Sequence, residues 1–166
     1  GVNYRLAELL GLQNVRILSP QQGALLKLVT FVPEAQAEVV RHELFNAGAG
    51  SIGNYDCCSY NLHGEGTFRA QEGCHPFCGE IGELHTEREV RVETVLPAYK
   101  QAAVMRALLS VHPYEEPVFD FYPLSNSWSQ AGSGVVGELP DAEDELSFLE
   151  RVKSILKVGC VKYSKP

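Results

Sequence analysis

The chain has no surplus of positive charge. Its 14 Lys and Arg face 21 Asp and Glu, giving a net charge of −7. That excludes a broad surface for nucleic acid or anionic membrane, because both need clustered positive charge. It also lacks any apolar run near the roughly 20 residues that cross a bilayer. The opening Gly-Val-Asn-Tyr-Arg has no apolar signal core. The cysteines number five, at irregular spacing, so no secreted disulfide framework is implied. A reducing cytoplasm is the expected compartment. What is present is ordinary for a globular chain: 45% hydrophobic and 21% charged residues over 166 positions. That is room for one domain, or one plus a fragment. Glycine is uneven, with eight of 15 between Gly48 and Gly82.

Residues 5–10 read as a helix stopped by Gly11, followed by an apolar patch at Val15–Leu18 and a linker at 19–23. Residues 24–32 are apolar and β-branched at strand length. Pro33 and Glu34 then open a helix whose stripe is Ala37, Val40, Leu44 and Ala47, and Gly48 and Gly50 end it. A second strand is predicted at 52–62, a turn at His63–Gly66, a return at 67–69 and a long loop at 70–86. Residues 90–96 alternate, with Val90, Val92, Thr94 and Leu96 on one face. A helix from Ala98 carries Ala102, Met105, Leu109 and His112 on one stripe, and Pro113 ends it. A fourth strand follows at 118–122.

This order, β-α-β then β-α-β, is the split βαβ pattern. The predicted fold is α+β: a ferredoxin-like two-layer sandwich with an antiparallel sheet and both helices on one face. The other face, to which Phe119 and Phe121 are assigned, needs a cover, and another subunit is the economical one. After Trp128 comes a glycine-rich stretch, 132–137. A helix then starts at Pro140-Asp141 with the stripe Leu146, Leu149, Val152 and Ile155 or Leu156. Cys160–Tyr163 reads as the start of another strand.

Four motifs carry chemistry. Gly48-Ala49-Gly50-Ser51-Ile52-Gly53 spells G-x-G-x-x-G. A dinucleotide site needs a strand before it and a helix after it, whereas here a helix precedes and a strand follows. It reads as a helix-ending turn. Gly132–Gly137 repeats the spelling without a strong strand before it. Cys57, Cys58, Cys74, His75, Cys78 and His85 form the densest ligand-type cluster. Of these, Cys74, His75, Cys78 and His85 are the metal candidates, but no second tight pair completes a zinc pattern. Buried or incidental thiols are the first reading. His112-Pro113-Tyr114-Glu115-Glu116-Pro117 is either a rigid helix-to-strand corner or a His with two carboxylates doing acid–base or ligand work. No nucleophile with a positioned base can be picked out, so no catalytic residue is assigned.

Several strings resemble one family. They are Lys-Leu-Val-Thr-Phe-Val-Pro at 27–33, Ala-Gly-Ala-Gly-x-Ile-Gly-Asn-Tyr-Asp at 47–56 and Gly-Thr-Phe-Arg at 66–69. Pro-Phe-x-Gly-x-x-Gly at 76–82 and His-Pro-Tyr-Glu-Glu-Pro-x-x-Asp at 112–120 complete the set. Over residues 24–126 they resemble the central inserted domain of the Nif-three-like dinuclear-metal-centre proteins, known also as type-two GTP cyclohydrolase homologues. The corner at 112–115 looks like that of the CutA-like and PII-like trimeric proteins.

The resemblance implies three segments. Residues 1–20 would be the end of a first metal-binding half, 21–126 a CutA-like inserted domain, and 127–166 the start of a second half. It implies a divalent metal pair, zinc, iron or similar, in the intact protein. Its His and acidic ligands would fall before Gly1 and after Pro166, so no cofactor is expected in this chain. It further implies a homo-oligomer, trimer or hexamer, with a gating or sensing role, and neither nucleic acid nor membrane as partner. Ligand-binding candidates are His112, Tyr114, Glu115 and Glu116 at the corner, with Asn54 and Tyr55 in the glycine-flanked motif. The alternative is a metal-dependent hydrolase acting on a nucleotide or other small molecule.

Overall fold

The structure is a computed structural model, and it describes residues 1–128 and 130–164. The chain divides into two units. One joins Gly1–Gln21 to Trp128–Pro166, and the other is the continuous segment Gln22–Ser127.

The continuous unit is a four-stranded antiparallel sheet with two helices. Its elements are β2 (Leu25–Pro33), α2 (Ala37–Asn46), β3 (Ser59–Phe68), β4 (His85–Pro97), α3 (Gln101–Val111) and β5 (Phe119–Pro123). The strand order is β3-β4-β2-β5. Each βαβ half therefore has a strand of the other half between its own two strands, which is the ferredoxin-like arrangement the sequence order predicts.

Register decides which side chains share a face. Leu28 stands opposite Thr94 and Phe121, and Val32 opposite Val90. Leu26, Leu28, Val32, Val90, Val92 and Leu96 form the core with Val40 and Leu44 of α2 and Val104 and Leu108 of α3. Leu28, Leu44, Leu96 and Leu108 are wholly buried. Each such side chain contributes about 1.5–3 kcal/mol by leaving water. Two buried hydroxyls in this layer are satisfied. Thr30 donates to the Val118 carbonyl at 2.9 Å and Thr94 to the Cys58 carbonyl at 2.8 Å.

The α2 stripe and the β4 alternation lie where the sequence puts them, and four other readings need correction. The predicted turn at His63–Gly66 does not exist. β3 runs straight through it and pairs with β4 from Ser59–Thr94 to Phe68–His85. The buried residues of α3 are Val104 and Leu108, whereas Leu109 is exposed. This helix is apolar around much of its circumference, so two stripes fit its spacing. Phe119 and Phe121 pack against the helix-side core and not on the second face. The predicted strand at 52–62 starts only at Ser59, because Ile52 and Tyr55 bridge to each other in a tight turn.

The second unit contains α1 (Val2–Leu9), β1 (Gln13–Pro20), β6 (Gly132–Glu138) and α4 (Glu145–Leu156). β1 and β6 pair antiparallel, from Gln13–Glu138 to Pro20–Gly132. The predicted linker at 19–23 thus begins as strand, and the glycine-rich 132–137 is itself a strand. α4 starts at Glu145, later than Pro140-Asp141. The Asp144 side chain accepts the backbone N–H of Leu146 and Ser147, and that cap fixes the start. Leu146 is exposed, and α4 buries no residue completely. Arg151 ties this unit together by donating to the Leu10 carbonyl at 3.0 Å and to both Glu143 oxygens. Residues 160–163 form no strand.

Candidate functional site

The side of the sheet away from the helices carries His85, Glu87, Glu89, Arg91 and Glu93 along β4, by strand alternation. Beside them β3 contributes Phe68, Gly66, Gly64, Leu62 and Tyr60, and β2 contributes Phe31, Val29 and Lys27. The long loop between β3 and β4 and the 112–118 corner meet over one end of this face. Together they enclose a cleft of about 620 Å³. Phe31, Leu62 and Phe68 line it from the sheet, Cys74, Pro76 and Phe77 from the loop, and Tyr114, Glu115 and Glu116 from the corner. Its charged lining is mainly acidic: Glu65, Glu89, Glu115 and Glu116 against Arg91. The cleft brings the long loop together with the corner whose residues are ligand candidates in the sequence.

Glu89 and Tyr114 anchor its floor. Glu89 is 8% exposed, and the Tyr114 hydroxyl donates to its Oε1 at 2.7 Å. Burial first, then the Glu89 hydrogen bond and charge, push the Tyr114 phenol far above its ordinary range. Gly66 makes room for this carboxylate, because a Cβ there would overlap the Glu89 side chain. Tyr114 also packs against the rings of Phe68, Phe77 and His112.

The sequence-predicted residues divide accordingly. His112 is buried, with both ring nitrogens engaged. Nε2 lies 2.9 Å from the Phe31 carbonyl, and Nδ1 accepts the Tyr114 backbone N–H at 3.2 Å. Those partners require a neutral ring with its proton on Nε2. Burial holds its pKa below the usual value, against the pull of the Phe31 carbonyl and Glu89. His112 therefore braces the corner. Glu115 ties the loop down by accepting the His75 backbone N–H at 2.9 Å. Glu116 lines the cleft. Asn54 and Tyr55 are not cleft residues; they sit in the exposed 52–55 turn.

Of the metal candidates, Cys74 lines the cleft and His75 is exposed. Cys78 and His85 converge, and they do so around a residue the sequence reading missed, Glu87. One ligand atom from each of the three lies within 4.8 Å of the others. The available signal was the spacing His85-x-Glu87, which puts both side chains on the same face of a strand. Burial, then Glu87, raises the Cys78 thiol. Hydrogen bonds from His85 and Cys78 lower the Glu87 carboxyl. All five cysteines are free. Among the described residues this is the one such group, and three donors do not fit a bridged two-metal centre, which needs more carboxylates and imidazoles. No helix among the described residues is long and apolar enough to cross a membrane.

The model of the Duf34/NIF3 (NGG1p interacting factor 3) family matches residues 1–166. Proteins named GTP cyclohydrolase 1 type 2 homolog are similar to this chain. That of Bacillus subtilis is 42% identical over 98% of this chain and 44% of its own length. That of Halalkalibacterium halodurans is 40% identical over 95% of this chain and 43% of its own. Among solved structures, a Bacillus cereus protein related to NIF3 superposes with a TM-score of 0.77 at 44% identity. The match covers 96% of this chain and 42% of that one. The chain thus spans less than half the length of these relatives.

Proposed function

The chain belongs to the Duf34/NIF3 family, and from that footing we propose that residues 22–127 are an assembly module, not a catalytic one. The observation that carries this reading is the uncovered part of the sheet's second face. Tyr60, Leu62 and Tyr122 are 66%, 45% and 50% exposed there. Charges of both signs, Lys27, Arg91, Glu93 and Asp120, stand between them. Such a mixture suits further copies of the same chain arranged in a ring, because each copy's positive groups can meet the negative groups of the next. Native mass spectrometry of the whole chain tests the reading. The expected result is a trimer or a multiple of one, reduced to monomer by Leu62→Asp with Tyr122→Asp. A monomeric wild type, or an assembly the double variant leaves intact, would overturn it.

The cleft favours an accompanying sensor or gate role, in which a small ligand binds the module. Its acidic, aromatic lining suits a ligand with an apolar body and a cationic group. Thermal-shift screening of amines against nucleotides separates this from a nucleotide site. Hydrolysis of a nucleotide or other small molecule is the reading that the relatives' name supports for the full-length protein, and a divalent metal pair is what the family resemblance adds to it. It belongs outside the described residues, whose donors do not supply such a pair. A cytoplasmic location fits five free cysteines.

A further inference from the structure

We propose that Cys78, His85 and Glu87 form a mononuclear site for a zinc-like divalent cation, which pins the 69–84 loop to the sheet. His85 and Glu87 project from one face of β4, two residues apart. Cys78 comes from the loop, in the turn closed by Gly79 at φ 78°. A Cβ on Gly79 would stand 2.9 Å from the His85 ring, so glycine lets this turn settle directly onto the imidazole. The Phe68 ring flanks His85 at 5.2 Å.

The donor set selects the metal class. Thiolate, imidazole and carboxylate together suit zinc and its spectroscopic substitute cobalt, and disfavour the all-oxygen ions magnesium and calcium. Bond lengths of about 2.3 Å to sulfur and 2.0–2.1 Å to nitrogen and oxygen put tetrahedral ligand atoms roughly 3.3–3.7 Å apart. The three atoms lie within 4.8 Å of one another, a separation that side-chain rotation would reduce to that range on metal binding. The His85 Nε2–Glu87 Oε2 contact, now 2.9 Å, opens to admit the ion between them. The Cys78 S–H bond breaks as the sulfur–metal bond forms, and its proton goes to solvent. Three protein donors leave a fourth position for water.

The test is Co²⁺ titration of the reduced full chain. The expected result is a stoichiometric thiolate-to-cobalt charge-transfer band that Zn²⁺ displaces. Cys78→Ser removes the band. His85→Ala and Glu87→Gln weaken binding by no less than the roughly tenfold that loss of an outer partner costs a metal site. Cys57→Ser, Cys74→Ser and Cys160→Ser leave the band in place. Alkylation mapping of the wild type keeps the proposal testable if a variant fails to fold: Zn²⁺ shields Cys78 while exposed Cys57 stays reactive. Absence of a thiolate band, its survival in Cys78→Ser, or an unshielded Cys78 would overturn the site. None of these outcomes bears on the assembly reading, whose test is subunit number.

Discussion

Replacing Tyr114 by Phe removes one oxygen and keeps the ring. The aromatic contacts with Phe68, Phe77 and His112 are therefore retained. What is lost is the 2.7 Å hydrogen bond to Glu89 Oε1. A bond to a charged acceptor is worth about 1.5–3 kcal/mol, and an abandoned buried acceptor adds its own desolvation cost. Glu89 keeps 8% of its surface, so water can partly replace the phenol. That argues for the lower half of the range, about 1.5–2 kcal/mol. For a unit of this size each kcal/mol moves the melting midpoint by roughly 4–8 °C. The expected drop is therefore roughly 6–16 °C, read by differential scanning calorimetry at neutral pH. The double-mutant cycle with Glu89→Gln isolates the pair and should return a coupling of about 1 kcal/mol or more. A Tyr114→Phe variant that melts within about 1 °C of wild type would refute the claim that this bond anchors the cleft floor.

Two further outcomes follow from the same geometry. Gly66→Ala puts a methyl group where the Glu89 carboxylate lies, so it should displace that side chain and cost about 1–3 kcal/mol. Urea unfolding would show it, and a neutral result would mean the strand shifts freely. His112 is held below its ordinary pKa of 6.5 chiefly by burial. The unfolded chain then binds the proton first as pH falls. The His112 contribution to stability is complete above about pH 6.5 and declines as pH drops from there through the depressed folded value. Unfolding midpoints between about pH 7 and 5 should fall more steeply for wild type than for His112→Gln. Parallel slopes would show that the ring is not buried neutral.

The sequence made the central sheet legible where local signals were unopposed. Val90, Val92, Thr94 and Leu96 alternate without interruption, and all four are buried. Gly48 follows the α2 cap residue Ala47 at φ 101°, where the helix stops. Glycine misled at Gly64 and Gly66, which look like punctuation. At Gly66 the need for a small residue comes from Glu89 across the ladder, a partner invisible from β3 alone, whereas a Cβ on Gly64 would meet nothing. The pairing of β1 with β6 is equally hidden, since neither segment is strongly strand-like and each is completed by the other. At the site, the corner string and the long loop were visible as candidates. The Tyr114–Glu89 bond and the Cys78–His85–Glu87 convergence were not, because both depend on how the 70–84 loop folds back over β4.

The discontinuous unit has a consequence for the order of events on the ribosome. β1 emerges early, but its partner strand β6 is not made until all of residues 22–127 have been synthesised. Closing so long a loop with a disordered intervening chain carries a large entropic cost. The continuous unit removes most of that cost once folded. Its own first and last strands are neighbours, and the Leu124 backbone N–H donates to the Leu25 carbonyl at 3.0 Å. The folded insert thus returns the chain close to where it left, and β6 meets β1 across a short gap. Vectorial synthesis should therefore complete the inserted unit first and the enclosing one last, leaving β1 without its strand partner for as long as the insert takes to be made.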